Sequence, residues 1–329
     1  MGGEICIIGA GAIGGLVGSR LTKKYGTGKV VLVDTDKRHV RAIEKNGLRV
    51  YDKSAKKPRL ETIPVNITTD DKIDKSEFEK VILATKSYSN DRALEGLPSE
   101  ANILVLQNGF DERTAAFANS VRGVEFGFGC KVTEPGFILN TTKGKYFLGN
   151  LSGSCDKADE WAGTLNDAEV NCRVKSNIDG YLWSKVLINS ALNPVTALYG
   201  LTFKQLVQSK TARYLFKALY IEGYPVVKKK CGKLGSVIAP PGLTSWLLGR
   251  KVLSDVVLKA IGAKYGEIES SMLQDIRNNR QTEIDFINGQ IIKLAENYNI
   301  KTPLNIRMYR QLKDMESKSR RPAGVTNRR

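Results

Sequence analysis

The chain has 329 residues, 41% hydrophobic and 26% charged, a length that fits two domains better than one and a composition that excludes disorder throughout. One histidine and five scattered cysteines, without a C-x-x-C pair, exclude His-based triads, His-rich metal sites, zinc cages and a disulfide framework. The 51 basic residues against 34 acidic ones leave +17, which suits a small anionic substrate or a solvated basic surface; no basic block is interleaved with aromatics, so nucleic acid is not expected as a partner.

In chain order, Ile5-Cys6-Ile7-Ile8 predicts a buried strand, then a glycine turn and a helix to about Lys24. Residues 5–18 are the longest apolar-looking stretch and are shorter than the about 20 residues a bilayer span needs, so no membrane partner is expected. Neither a basic n-region with a cleavage site nor a myristoylation hydroxyl follows Met1, and a cytoplasmic location is expected. Val30-Val31-Leu32-Val33 predicts a second strand, and 36–46 a helix closed by Gly47. Val81-Ile82-Leu83-Ala84 and Ile103-Leu104-Val105-Leu106 are further β-rich runs. Strands alternating with helices argue a parallel sheet with helices on both faces. Between 124 and 149, strand-like pieces at Phe126, Phe137 and Phe147 predict an antiparallel extension that finishes the first domain. From about Ile178 the pattern is helical, with apolar spacing over 182–192, 212–230, 243–258 and 281–298, and a last helix after Thr302-Pro303. The expected architecture is α/β: a doubly wound dinucleotide-binding domain over 1–175, an all-helical domain over 176–316, and a basic tail over 317–329 expected to be flexible.

Gly9-Ala10-Gly11-Ala12-Ile13-Gly14 is a G-x-G-x-x-G set directly between a buried strand and a helix. Gly9 permits the tight turn, Gly11 lets backbone approach a pyrophosphate, and Gly14 allows close helix–strand packing, with helix N–H groups left for phosphates. Asp34 lies twenty residues after Gly14, at the end of the second strand, where a carboxylate accepts from a ribose 2′-OH and repels a 2′-phosphate. This favours NADH over NADPH. Lys37 and Arg38 could instead embrace a phosphate, or be solvated residues opening a helix.

With His39 expected at the periphery of the nucleotide domain, proton transfer falls to Lys, Glu, Asp, Tyr or Cys. Lys86 and Asn108 follow two of the predicted strands, where the ends of a parallel sheet face a ligand. Lys185, Asn189 and Asn193 recur every four residues and so share one stripe of an otherwise apolar helix. Burying such groups without partners costs several kcal/mol each, and a bound polar substrate would supply partners; the alternative is an exposed polar face. Ser271 and Glu283 are twelve residues apart, about 18 Å on one straight helix, and can reach one small ligand only if the helix breaks or Ser271 precedes it. Otherwise Glu283 is a helix-surface charge.

These motifs resemble the ketopantoate reductase (2-dehydropantoate 2-reductase) family: the glycine loop, the Lys86 turn, Gln107-Asn108-Gly109, Trp183-x-Lys185-x-x-x-Asn189-x-x-x-Asn193-Pro194, and Ser271-Met272-Leu273-Gln274-Asp275 with Thr282-Glu283-Ile284-Asp285. The resemblance spans 5 to about 316. It implies a Rossmann domain followed by a helical domain of the 6-phosphogluconate-dehydrogenase type, and NAD(P)H-dependent reduction of 2-dehydropantoate to (R)-pantoate in pantothenate and coenzyme A biosynthesis. By resemblance Lys185 is the general acid and Glu283 orients the substrate within the same network. Lys86 and Asn108 lie near nicotinamide and substrate, while Asn189, Asn193 and Ser271 contact the substrate's hydroxyl and carboxylate. A homodimer is implied and a metal is not. Many members carry a basic residue where this chain has Asp34. Two alternatives stand beside this reading: a dehydrogenase of another small 2-oxo or 2-hydroxy acid, and a non-catalytic NAD sensor whose basic tail binds nucleic acid.

Overall fold

Ile5, Ile7, Val30, Leu32, Ile82 and Leu104 are buried in one apolar cluster, whereas Cys6, Ile8, Val31, Val33, Val81, Leu83, Ile103 and Val105 are buried in another. Successive residues of each strand thus point into two cores, which is why these strands read as unbroken apolar runs. The computed structural model describes residues 4–127, 129–151, 156–237, 239–250, 254–256, 258 and 269–319. The chain divides into two compact units, Met1–Gln107 with Asp111–Ile178, and Asn108–Phe110 with Asp179–Arg329.

The first unit contains β1 (Ile5–Ile8), α1 (Ala12–Tyr25), β2 (Val30–Val33), α2 (Lys37–Asn46), β3 (Leu48–Asp52), β4 (Arg59–Ile63), β5 (Asn66–Thr68), β6 (Lys80–Leu83), α3 (Asn90–Leu94), β7 (Asn102–Val105), α4 (Glu112–Ala115), β8 (Asn119–Phe126), β9 (Cys130–Glu134), β10 (Phe137–Asn140), β11 (Lys145–Asn150), α5 (Asp156–Asp167) and β12 (Cys172–Val174). Among the described residues the main sheet has the order β12-β11-β8-β7-β6-β1-β2-β5, parallel from β8 to β5. From β1 the chain goes to β2 on one side and later returns to β6 on the other. Their carboxyl ends therefore meet at a topological switch point, the place where such sheets bind ligands.

The pieces expected as one antiparallel extension go to two places. β8 pairs parallel with β7, and β11 runs antiparallel to β8. β10 joins a separate sheet of order β4-β3-β10-β9, pairing parallel with β3 and antiparallel with β9.

The second unit is helical: α6 (Ile178–Tyr199, opening on the last residue of the first unit), α7 (Phe203–Gln208), α8 (Lys210–Cys231), α9 (Pro241–Leu248), α10 (Ser271–Arg277), α11 (Ile284–Asn297) and α12 (Pro303–Ser319). No helix among the described residues is long and apolar enough to cross a membrane. The helix expected over 243–258 is interrupted: α9 ends at Leu248 with Gly249 as its C-cap, residues 254–256 and 258 are again helical, and residues 251–253 and 257 lie outside the described residues. α12 runs to Ser319, so residues 317–319, expected in the tail, are helical; residues 320–329 lie outside the described residues.

Pro194 sits inside α6 and removes the N–H that would bond the Ser190 carbonyl. Asn288 of α11 replaces it, its Nδ2 donating to Ser190 O at 2.9 Å and to Asn305 Oδ1 at 3.0 Å. Asn305 Nδ2 donates in turn to Glu222 Oε1 at 2.9 Å, and the Leu304 and Asn305 N–H groups donate to the same carboxylate at 3.0 and 2.8 Å. A charge from α8 thus occupies the N-terminus of α12, where the helix dipole favours an anion. Glu222→Ala is expected to lower unfolding stability by about 2–3 kcal/mol, the scale of lost charge-assisted bonds. Urea denaturation checks this, and a loss below about 0.5 kcal/mol would contradict it.

Candidate functional site

The glycine loop of the first unit is shaped by close approach of backbone. Gly9 has φ +99°, and a Cβ there would lie 2.7 Å from Thr85 N and 2.8 Å from Ala84 C. A Cβ on Gly14 would overlap Gly9 O and sit 3.0 Å from Ala84 Cβ. Only glycine lets α1 start this near the β1 and β6 ends. At Gly11, the N-cap of α1, a Cβ would meet nothing within 4 Å. The helix N-terminus opened by Gly11, Ala12 and Ile13 is therefore a cradle with backbone N–H groups and free space, and it fits a dinucleotide pyrophosphate.

Asp34 follows β2, half-buried, and both carboxylate oxygens accept backbone protons: Oδ2 from Ala10 N–H at 2.8 Å and Oδ1 from Asp36 N–H at 2.9 Å. Lys37 and Arg38 are exposed at the start of α2, whose N-cap is Asp36. Lys86 is half-buried three residues past β6 and N-caps a short 3-10 turn over Ser87–Ser89. The segment before it is held by Gln107, whose Nε2 donates to Thr85 Oγ1 at 3.0 Å and to Asn90 Oδ1 at 2.6 Å. Asn90 Nδ2 donates to Asp111 Oδ2 at 2.7 Å. Burial raises the Asp111 carboxyl, but hydrogen bonds from Arg113 and Asn90 together with the Arg113 charge leave the group below its ordinary value.

His39 is not peripheral. It is 5% exposed, accepts from Gly136 N–H at Nδ1 (3.1 Å), and lies 3.0 Å from Ala10 O through Nε2. A ring nitrogen that accepts carries no proton, so the Nε2–H donates to Ala10 O. Only one face of α2 showed this in the sequence: His39 is spaced with Val40 and Ile43, the other buried residues of that helix.

In the second unit, Lys185 and Asn189 are half-buried on α6 and Asn193 is 4% exposed, so their stripe is not an exposed polar face. Three other segments converge on α6. Ser270, the N-cap of α10, places its Oγ 2.7 Å from Thr196 Oγ1, one turn beyond Asn193. Ser271 is therefore the first residue of α10, beside the far end of the stripe. The helix ends at Arg277, the chain passes Asn279 at φ +52°, and a new helix starts with Glu283 as the N-cap of α11. The condition for Ser271 and Glu283 to serve one small ligand, an interrupted helix, is met. Glu283 is 4% exposed, and Thr282 N–H before it donates to the buried Glu316 Oε1 at 2.7 Å.

Asn108–Phe110 belongs to this unit. Phe110 N–H donates to Phe286 O at 3.0 Å, and its ring lies 5.5 Å from that of Trp183, two residues before Lys185. Gly109, at φ +73°, has the Phe286 backbone where a Cβ would stand. Asn108, Lys185, Asn189, Asn193, Ser271 and Glu283 thus sit on segments tied to one another within one unit.

Burial, then the Asp285 carboxylate that it donates to at 2.6 Å, pushes the Tyr309 hydroxyl up to about 12. Burial pushes the Cys6, Cys130 and Cys172 thiols to about 12 and also raises Cys231.

Comparison with known proteins places names beside this geometry. The family model for ketopantoate reductase PanE/ApbA matches residues 5–153, and that for the C-terminal part of the same family matches 177–316. The chain is 31% identical over 320 residues to the 2-dehydropantoate 2-reductase of Pyrococcus horikoshii, spanning 95% of this chain and 98% of that protein. Its fold is similar to that of D-mandelate dehydrogenase with NADH and anilino(oxo)acetate (TM-score 0.80, 21% identity, 96% of this chain and 99% of that one). It is also similar to that of a PanE/ApbA family ketopantoate reductase from Ralstonia eutropha JMP134 (TM-score 0.78, 23% identity, 96% and 99%).

Proposed function

Since the chain belongs to the ketopantoate reductase family of NAD(P)-dependent oxidoreductases, we propose that it reduces 2-dehydropantoate to (R)-pantoate, a step in making pantothenate and coenzyme A, with Lys185 as general acid. The observation that carries this is the Lys185–Asn189–Asn193 stripe of α6, half-buried at Lys185 and Asn189 and buried at Asn193, with Ser270 bonded to Thr196 and Met272 and Ile284 packed in one cluster with Ala197 of that helix, so that the broken α10–α11 segment carries Ser271 and Glu283 next to residues that touch it. When bound, the reduced nicotinamide supplies the hydride to the keto carbon. Lys185 Nζ donates a proton to the carbonyl oxygen as negative charge builds there, and its ammonium stabilises that charge beforehand. Asn189, Asn193 and Ser271 hold the hydroxyl and carboxylate of the small anion, and Glu283 orients it. Lys86 and Asn108 act near the nicotinamide.

The glycine loop and α1 hold the pyrophosphate. Asp34, fixed by two backbone N–H groups and still part-exposed, receives the ribose 2′-OH and repels a 2′-phosphate, so NADH is the better donor. Loss of reduced-cofactor absorbance on adding ketopantoate, followed in parallel with NADH and NADPH, tests both parts. Turnover faster with NADH is expected. Faster turnover with NADPH would transfer the ribose pocket to Lys37 and Arg38. Absence of turnover with ketopantoate, with turnover of another 2-oxo acid, would overturn the substrate.

A further inference from the structure

Ala10 is held at both of its backbone polar groups. Ala10 N–H donates to Asp34 Oδ2 at 2.8 Å, and Ala10 C=O accepts from His39 Nε2 at 3.0 Å. In a trans peptide the N–H points opposite to the C=O, and the described chain has no cis bond. Holding Ala10 O on a buried imidazole therefore aims Gly11 N–H the other way, away from the ring, and a Cβ on Gly11 would meet nothing within 4 Å. Gly11 N–H has no hydrogen-bond partner among the described residues. The imidazole is itself fixed: His39 N–H is capped by Asp36 Oδ1 at 3.2 Å, and Nδ1 accepts from Gly136 N–H in the turn between β9 and β10, where Gly136 has φ +76°. That second bond selects the tautomer with its proton on Nε2.

We propose that His39 is a positioning residue for the dinucleotide, orienting the Gly11 N–H for the pyrophosphate by holding the Ala10 carbonyl. This rests on the reading of the glycine loop as a dinucleotide site. The two bonds of the ring separate by substitution. In His39→Gln the side-chain amide nitrogen reaches where Nε2 stood and still donates to Ala10 O. In His39→Asn the amide oxygen stands near the Nδ1 position and still accepts from Gly136, but nothing reaches Ala10.

The test is a fluorescence titration of the full-length wild-type protein and both variants with NADH and with NADPH, alongside thermal melts and steady-state kinetics. His39→Gln is expected to bind within about threefold of wild type, and His39→Asn about tenfold more weakly, one lost hydrogen bond. The two melting temperatures should match, and kcat at saturating cofactor should stay within about twofold, so that the loss appears in cofactor Kd and KM. If His39→Asn does not fold, His39→Leu, which also leaves Ala10 O without a donor, makes the same comparison with the same expected loss. Wild-type affinity in His39→Asn or His39→Leu, or equal losses in the Gln and Asn variants, would overturn the proposal. If wild type itself binds no dinucleotide, the glycine-loop reading fails and this one with it, an outcome distinct from wild-type binding that His39 does not affect.

Discussion

Lys185→Ala is expected to lower kcat by about a thousandfold while leaving the NADH dissociation constant within about twofold, within the usual range for a lost general acid. The asymmetry follows from placement. Lys185 is on α6 in the second unit, whereas the glycine loop, Asp34 and Lys86 are in the first. Its half-buried side chain is flanked by Ser184 and Val186, both buried, so the backbone position is fixed by packing that the substitution leaves in place. Lys185→Arg sharpens the result: a guanidinium keeps the positive charge but does not release its proton, so kcat should remain at least about a hundredfold down. Stopped-flow single turnovers with separate cofactor titrations are the measurement. A parallel fall in kcat, cofactor affinity and melting temperature would instead make Lys185 a structural residue.

Two alanines in one loop should both impair cofactor binding, but only one should lower stability. Gly14→Ala puts a methyl group onto Gly9 O and 3.0 Å from Ala84 Cβ, with backbone on one side and the half-buried residue that follows β6 on the other. Overpacking of that kind costs about 3 kcal/mol and displaces the loop, so melting should fall by roughly 5–10 °C with dinucleotide binding lost. Gly11→Ala meets nothing within 4 Å, so stability should be unchanged while the methyl fills the space a pyrophosphate needs, and affinity should fall about tenfold. Differential scanning fluorimetry with and without NADH separates the two. A Gly11→Ala protein that binds like wild type would remove the loop from the cofactor site.

The sequence made the β1–glycine–α1 unit legible because every constraint on it is local: apolar strand, turn and helix lie within 25 consecutive residues. The α6 stripe was legible for the same reason, since spacing alone puts Lys185, Asn189 and Asn193 on one face. β3 was not: one of its two partners, β10, is far along the chain, with Arg49 opposite Phe137, and the other is the weakly patterned β4. β4 reads Arg59-Leu60-Glu61-Thr62-Ile63 and leaves Leu60 exposed, and β5 is three residues long; neither carries enough burial to mark its pattern. Apolar spacing continues through Gly249, which hid the end of α9. His39 stands in a run of charged neighbours, Lys37, Arg38 and Arg41, and its burial depends on the turn at Gly136, 97 residues away.

The excursion of Asn108–Phe110 into the second unit has a consequence for the order in which the molecule is made. During synthesis these three residues leave the ribosome long before Trp183 and Phe286 exist, and must stay unengaged until α11 has been translated. Closure of the second unit is therefore a late, long-range event, slower than formation of any of its helices. A fragment starting at Asp179 would carry every helix of the unit, with α6 short only of Ile178, yet lack the Phe110 ring that covers Trp183 and the N–H that satisfies Phe286 O. The boundary drawn along the chain and the boundary of the folding unit are not the same line.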